Sequence, residues 1–111
     1  MARAPLTRRR ARREMARMTS PTNTVTENAA GERYELAVDG QIVFARYRRD
    51  GATVAIRHVE APPALRGTGA ASALMDGIMA IARRDGLRVT PLCSYAVWWL
   101  ERHPEHRDLL A

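Results

Sequence analysis

The sequence predicts one small domain of the mixed α+β class, an α/β fold with an antiparallel meander, then a β-α-β crossover and a C-terminal helix. Three observations predict it. Asp39-Gly40 and Asp50-Gly51 separate runs rich in β-branched and aromatic residues, a pattern typical of tight hairpins. Residues 70–84 carry apolar side chains at helical spacing, and a short apolar run, Leu87–Leu92, follows them. A strand, a helix and a strand in one small sheet favour a right-handed crossover between parallel strands.

Length and charge set the expected domain boundaries. A chain of 111 residues suits one domain. Residues 1–24 carry seven arginines against the single Glu14, which accounts for the whole net charge of +6 and leaves residues 25–111 neutral. We therefore expect residues 1–30 to be a basic, mostly disordered arm and residues 31–111 to be the domain. The arm is a nucleic-acid or anionic-surface binding segment, a dispensable tail, or an extension upstream of a true start at Met15 or Met18.

Composition excludes several classes of protein. No apolar run is long enough to cross a bilayer, and no apolar signal-peptide core follows the basic start. The one cysteine allows no intramolecular disulfide. One cysteine and scattered histidines also predict that no metal is bound. We therefore expect a cytoplasmic protein with no membrane partner.

The two Asp-Gly turns divide the meander into three expected strands, Arg33–Val38, Gln41–Tyr47 and Ala52–Val59. Successive side chains of a strand point to opposite faces of the sheet. In the third strand this alternation places Val54, Ile56 and His58 on one face and Val59 on the other.

Two helices follow the meander. In the first, from about Ala70 to Arg84, Leu74, Ile78 and Ile81 form an apolar stripe, and Gly86 is a plausible end. The second is expected to begin at Ser94, whose hydroxyl would cap it, and to run to about Arg102. It contains Trp98 and Trp99, for which packing is the simplest interpretation. His103-Pro104 ends it, and Asp108–Ala111 is a short tail.

Arg66-Gly67-Thr68-Gly69-Ala70-Ala71 leads into the first helix and suits a diphosphate. The first turn of a helix has unpaired N–H groups at its positive end, and glycines let an anion approach the backbone. Arg66 adds a permanent charge with a fork geometry that suits phosphate. A nucleotide P-loop would need Gly-Lys-Ser/Thr, whereas this chain has no lysine, and the third glycine of a dinucleotide fingerprint is missing. The alternative is that the glycines only form a loop and a helix start.

Arg66, Gly69 and Ala71 match the pattern Arg-x-x-Gly-x-Gly/Ala, which resembles the acyl-coenzyme A pyrophosphate loop of the GNAT acyltransferase superfamily. Two later stretches, Pro91-Leu92-Cys93-Ser94-Tyr95 and Arg102-His103-Pro104-Glu105, look like its small single-domain branch, which has a cysteine after the strand that follows the motif helix. The resemblance covers about residues 33–110 and implies a GNAT-like fold that binds acetyl-coenzyme A. The residues it implies for donor binding are Val59, Arg66, Gly67, Thr68, Gly69, Ala70 and Ala71.

The resemblance also implies two catalytic residues, Cys93 and His58. In this branch the cysteine is the proposed acetyl-accepting nucleophile, and a helix N-terminus favours the nucleophilic thiolate. His58 would take a proton from an amine, with Glu60 as a second candidate base. Tyr95 would protonate the leaving thiolate. The alternatives are an inert buried cysteine, a strand histidine with a structural hydrogen bond, and a solvated loop carboxylate.

These observations predict an acyl-coenzyme A-dependent N-acetyltransferase that moves an acetyl group from acetyl-coenzyme A to an unidentified amine, either directly or through an acetyl-Cys93 intermediate. Two alternatives stay open: a non-catalytic module that binds acyl-coenzyme A, and a protein that binds nucleic acid through its basic arm. The chain would act as a monomer or a homodimer.

Overall fold

The computed structural model describes residues 24–111, which form one five-stranded sheet with its helices. The strands lie in chain order across the sheet: β1 (Thr26–Asn28), β2 (Arg33–Val38), β3 (Gln41–Asp50), β4 (Thr53–Glu60) and β5 (Arg88–Pro91). The helices are α1 (Ala70–Asp85), α2 (Ser94–Glu101) and two 3-10 helices, Pro63–Leu65 and Pro104–Leu109. All neighbouring strands are antiparallel except β4 and β5. The predicted mixed α+β fold is confirmed.

The meander forms at the two predicted Asp-Gly turns. Asp39 and Gly40 both have positive φ, 52° and 77°, which is the backbone that a two-residue hairpin needs to match the twist of its strands. β3 runs three residues longer than the expected strand, to Asp50, and Gly51 (φ 61°) makes the next turn. Local turn chemistry therefore sets the order of the strands.

A strand that the sequence did not predict, β1, precedes the meander. It pairs with β2, and the hydroxyl of Tyr47 in β3 donates a hydrogen bond to Glu27. Val25 is buried against α1 at Gly77, where an added Cβ would meet a Val25 methyl at 2.1 Å. The folded unit therefore includes residues from the expected arm. Residues 1–23 of that arm lie outside the described residues.

All the buried side chains of the sheet lie on the face that packs against the helices. The apolar stripe of α1, including Leu74, Met75, Ile78 and Met79, covers this face, and α1 ends at Gly86 in the left-handed conformation. The opposite face, which we call the open face, has no buried residue among those described. By the register of the strands, the open face carries Thr26, Asn28, Arg33, Glu35, Ala37, Ile42, Phe44, Arg46, Arg48, Asp50, Thr53, Ala55, His58, Glu60, Arg88 and Thr90.

A β-bulge in β4 corrects the predicted alternation. Arg46 of β3 pairs with His58, but the next residue, Tyr47, pairs with Ile56, so that Arg57 has no opposite partner. The extra residue reverses the two faces beyond it. His58 therefore lies on the open face and not with Ile56, and Val59 packs against the core. Simple alternation was wrong here because it assumes one residue per pleat.

The C-terminal region differs from expectation in two details. The N-cap of α2 is Cys93, whose sulfur accepts a hydrogen bond from Ala96 N, and not Ser94. The expected tail is tied down as well: Leu109 is buried, and the N–H of Ala111 donates to the carbonyl of Val89 at 2.9 Å. Within residues 24–111, no helix is long and apolar enough to cross a membrane.

Candidate functional site

The loop before α1 is a tight, self-bonded turn. The Thr68 hydroxyl donates to the carbonyl of Leu65 at 2.5 Å, and Thr68 N donates to the same carbonyl at 3.2 Å. Gly67 and Gly69 have φ of 77° and 87°, a conformation that other L-residues adopt only with strain. A Cβ at either glycine would meet no protein atom within 4 Å, so both face open space.

Four backbone N–H groups of this loop and first helical turn have no hydrogen-bond partner among the described residues: those of Gly67, Gly69, Ala71 and Ser72. They lie at the positive end of a 16-residue helix with no acidic residue in its first turn. The Nε–H of Arg66 donates to Ala61 O at 3.2 Å, and none of the ion pairs in residues 24–111 involves Arg66. Unpaired N–H groups at a helix N-terminus, beside a guanidinium outside any described ion pair, are the arrangement typical of anion-binding loops.

Two predicted donor-binding residues have other uses in the loop. The Thr68 hydroxyl bonds to Leu65 and accepts a hydrogen bond from Ala70 N at 3.3 Å, while the Ala70 side chain is buried in the core. Thr68 and Ala70 therefore shape the loop, whereas Arg66, Gly67, Gly69 and Ala71 offer groups to a ligand.

β4 and β5 separate before β4 ends. Their pairing ends at Ile56 and Pro91, and Leu92 N and Cys93 N both donate to the carbonyl of Ile56, at 2.9 and 3.3 Å. Proline has no N–H and cannot extend the ladder. β4 continues to Glu60 with its edge facing a cleft of about 430 Å³, which is lined by His58, Val59, Glu60, Ala61, Arg66, Ala71 and Tyr95.

A second cleft, of about 420 Å³, shares Ala61, Arg66, Ala71 and Tyr95 with the first and extends beneath Trp98 on α2. The two clefts therefore adjoin along the loop, and together we call them the groove. One end of the combined groove lies at the unpaired N–H groups, and the other end lies at His58 and Glu60.

His58 and Glu60 form a hydrogen-bonded pair at the open-face end of the groove. His58 Nε2 lies 3.0 Å from Glu60 Oε1, and each side chain is about half exposed, at 52% and 54%. When Nε2–H donates to Glu60, Nδ1 carries the lone pair and can accept a proton. The pair is therefore a base held in orientation by a carboxylate.

Tyr95 lies across the groove on α2. Burial raises the pKa of its phenol, and the charge of Asp76 adds to the rise. The phenol is therefore protonated at neutral pH and can donate a proton. Its helix is held against α1 by Trp99, which is buried and donates from Nε1 to the Ser72 hydroxyl at 2.8 Å.

Trp99 and Ser72 have a structural role, which the sequence predicted for the tryptophan but not for the serine. The packing interpretation holds for Trp99, which also stacks on His103 at 3.7 Å, whereas Trp98 is 47% exposed beneath the Arg102 guanidinium. Ser72 was missed, because a serine in the first turn of a helix gives no sign of a partner 27 residues away.

Cys93 caps α2 where β4 and β5 separate, and its backbone N–H donates to the carbonyl of Ile56 at 3.3 Å. Its sulfur accepts the Ala96 N–H at 3.4 Å, and its half-buried side chain packs against the core. It is absent from the described residues that line the two clefts of the groove. The structure thus brings His58, Glu60, Tyr95 and the loop together, and gives Cys93 a capping contact. No group of three or more metal-ligating side chains occurs among the residues the structure describes.

Comparisons with known proteins agree with this architecture. Residues 33–109 match the family model of the GCN5-related N-acetyl-transferase. The structure resembles the NMR solution structure of a "GCN5-like putative N-acetyltransferase" from Staphylococcus aureus, with a TM-score of 0.58 and 19% sequence identity over 84% of this chain and 91% of that one. At this identity the likeness shows a common fold. No curated protein matches the chain.

Proposed function

The chain belongs to the GCN5-related N-acetyltransferase family, and on this premise we propose that it transfers an acetyl group from acetyl-coenzyme A to an amine. Membership supports acyl transfer in general. The observation that carries the specific proposal is a pair of adjoining clefts that share Arg66, one bordered by the loop with its unpaired backbone N–H groups and the other by the His58–Glu60 pair.

The loop fits the pyrophosphate of the donor. Two phosphates would accept hydrogen bonds from Gly67, Gly69 and Ala71 N–H, and from the free NH₂ groups of Arg66. The open space outside both glycines is where those phosphates would sit. The pantetheine amides would then bond to the unpaired edge of β4 around Val59, as an added strand does.

Direct transfer fits the far end of the groove. The amine nitrogen attacks the thioester carbonyl carbon, a C–N bond forms, and the C–S bond breaks. His58 Nδ1 takes the proton from the amine, while Glu60 holds Nε2–H. Tyr95 gives its phenolic proton to the departing thiolate, and the burial that raises its pKa keeps the phenol protonated until then. The products are an amide and the free thiol of coenzyme A.

A two-step route through acetyl-Cys93 is the alternative. The Cys93 thiolate would attack the thioester carbonyl carbon, the bond to the sulfur of coenzyme A would break and release its thiolate, and the amine would then attack the acetyl-cysteine and release the Cys93 thiolate. We place this route second because the Cys93 sulfur caps α2 and is absent from the lining described for the groove.

The test is an acetyl-transfer assay with a panel of amines, in which free thiol is measured after amine is added. We expect His58→Gln to reduce kcat about 10²- to 10⁴-fold, as loss of a general base does. Cys93→Ser keeps a capping side chain and is expected to retain transfer within a few-fold. Loss of transfer in Cys93→Ser, with an acetylated Cys93 in the wild type, would replace direct transfer by the two-step route. No thiol release with any amine would leave only an acyl-coenzyme A-binding module.

A further inference from the structure

We propose that the acceptor is an amine that also carries a carboxylate, and that it binds on the open face beside His58 and Glu60. This inference rests on the proposed function and specifies its second substrate. Three observations support it. The register of β3 against β4 places Arg46 beside His58, Arg46 and Arg48 have no ion-pair partner in residues 24–111, and no described element covers that face.

The register places an arginine and an aromatic ring next to the base. Arg46 of β3 is directly opposite His58, and Phe44 is directly opposite Glu60. Side chains opposite each other in an antiparallel pair share a face, with Cβ atoms about 4.5–5.5 Å apart. The open face therefore presents base, carboxylate, guanidinium and ring in two adjacent rows.

The next strand adds a second arginine to the same row. Arg33 of β2 is directly opposite Arg46, and like charges in this position destabilise a sheet. Glu35 compensates only Arg33, at 2.6 Å. Both guanidinium groups lie over Phe44, at 4.4 and 5.5 Å from the ring centroid.

Arg46 is left without a carboxylate partner in the part of the chain the structure describes, and so is Arg48, the next open-face residue of β3. Asp50 lies on the same face, but none of the ion pairs in residues 24–111 joins it to Arg48. Like charges in neighbouring positions oppose the stability of the sheet, and proteins keep such local conflicts mainly at functional sites. An anionic group on the acceptor would supply the missing charge.

These charges also orient the acceptor. Glu60 attracts the ammonium form of the amine toward His58, and Arg46 attracts the carboxylate. The ring of Phe44, in the next row, holds the guanidinium groups of Arg33 and Arg46 over its face. The residues proposed to bind the amine and the carboxylate lie on adjacent strands, whose backbones are about 4.8 Å apart. We therefore expect a short amine with its own carboxylate to bind here, whereas a polyamine would meet arginine at the second site.

The test compares transfer from acetyl-coenzyme A to amine pairs that differ only in the carboxylate: phenylalanine with phenethylamine, lysine with cadaverine, and alanine with ethylamine. We expect kcat/KM to favour the carboxylate member at least about tenfold, the effect of one charge-assisted hydrogen bond. Arg46→Glu should reverse the preference. Arg107→Glu, the same charge change on the distant 3-10 helix, should leave it unchanged. Because all variants are tested with the same pairs, differences in amine basicity cancel.

The possible results distinguish a wrong acceptor from a wrong proposed function. Preference for the decarboxylated amines, or an unchanged preference in Arg46→Glu, overturns the acceptor assignment while transfer itself stands. Binding of acetyl-coenzyme A with no transfer to any of the six amines overturns the acceptor assignment and leaves donor binding intact. Failure to bind acetyl-coenzyme A overturns the proposed function.

Discussion

Replacing Gly77 by alanine tests whether the N-terminal segment is part of the domain. Alanine inside a helix normally stabilises a protein by about 0.5–1 kcal/mol relative to glycine. Here the new Cβ would lie 2.1 Å from Val25 Cγ2 and 2.6 Å from Val25 Cβ, distances that real contacts essentially never show. Val25 would have to leave its buried site.

The magnitude follows from the two opposing effects. Exposing a buried valine costs about 1.5–3 kcal/mol, and the gain in helix propensity offsets part of that cost. We expect Gly77→Ala to lower the free energy of unfolding by about 1–2 kcal/mol, which shifts Tm down by roughly 4–8 °C for each kcal/mol in a domain of this size. Urea titration followed by the fluorescence of buried Trp99 measures the change.

A double-mutant cycle gives the decisive control. Val25→Gly removes every clashing atom, so that in its background Gly77→Ala should become stabilising, by about 0.5–1 kcal/mol. Val25→Ala keeps the Cβ at 2.6 Å and should rescue only part of the loss. If Gly77→Ala stabilises the protein with Val25 present, then Val25 does not pack against Gly77, and the fold does not extend to Val25.

Three further predictions concern the site and the core. Ser72→Ala should cost about 1–3 kcal/mol in urea unfolding, because it leaves the buried Trp99 N–H unpaired; an unchanged midpoint would contradict this. If capping is the role of the sulfur, Cys93→Ser should leave the free energy of unfolding within about 1 kcal/mol of the wild-type value. Cys93→Val, which cannot cap, should lower the free energy of unfolding by about 1 kcal/mol. Burial raises the pKa of Tyr34 to about 12, and burial with a hydrogen bond to Glu27 raises the pKa of Tyr47. Because both phenols ionise less readily in the folded protein than in the unfolded chain, the free energy of unfolding should be highest below pH 10 and should fall as the pH rises toward 12. A Tyr47→Phe variant with an equally steep decline would refute that assignment.

The elements that local chemistry specifies could be predicted from the sequence, and the element that distant contacts specify could not. Asp39-Gly40 and the stripe of α1 determine their own structures, and both appear where expected. β1 has three polar, exposed residues and no periodic pattern. It is held by Val25 against Gly77, a contact about fifty residues along the chain, which no short window contains.

The candidate site follows the same division. The loop and the helix start could be predicted because the glycines and the arginine are contiguous, and the structure adds which N–H groups are unpaired. The role of the loop in binding an anion stays a prediction. The location of His58 on the open face could not be predicted, since one extra residue at Arg57 reverses the alternation. The pairing of His58 with Glu60 depends on both residues lying beyond that bulge. The roles of His58 and Cys93 in catalysis stay predictions.

Titration calorimetry with acetyl-coenzyme A measures whether the loop before α1 holds the donor. We expect saturable binding to the wild type and a loss of about tenfold or more in Arg66→Ala, the effect of removing a charge-assisted hydrogen bond to phosphate. Arg107→Ala, which removes an exposed arginine that lines neither cleft, serves as the matched control and should bind as the wild type does. Equal affinity in wild type and Arg66→Ala, or no binding by a folded wild type, would show that the loop does not hold the donor.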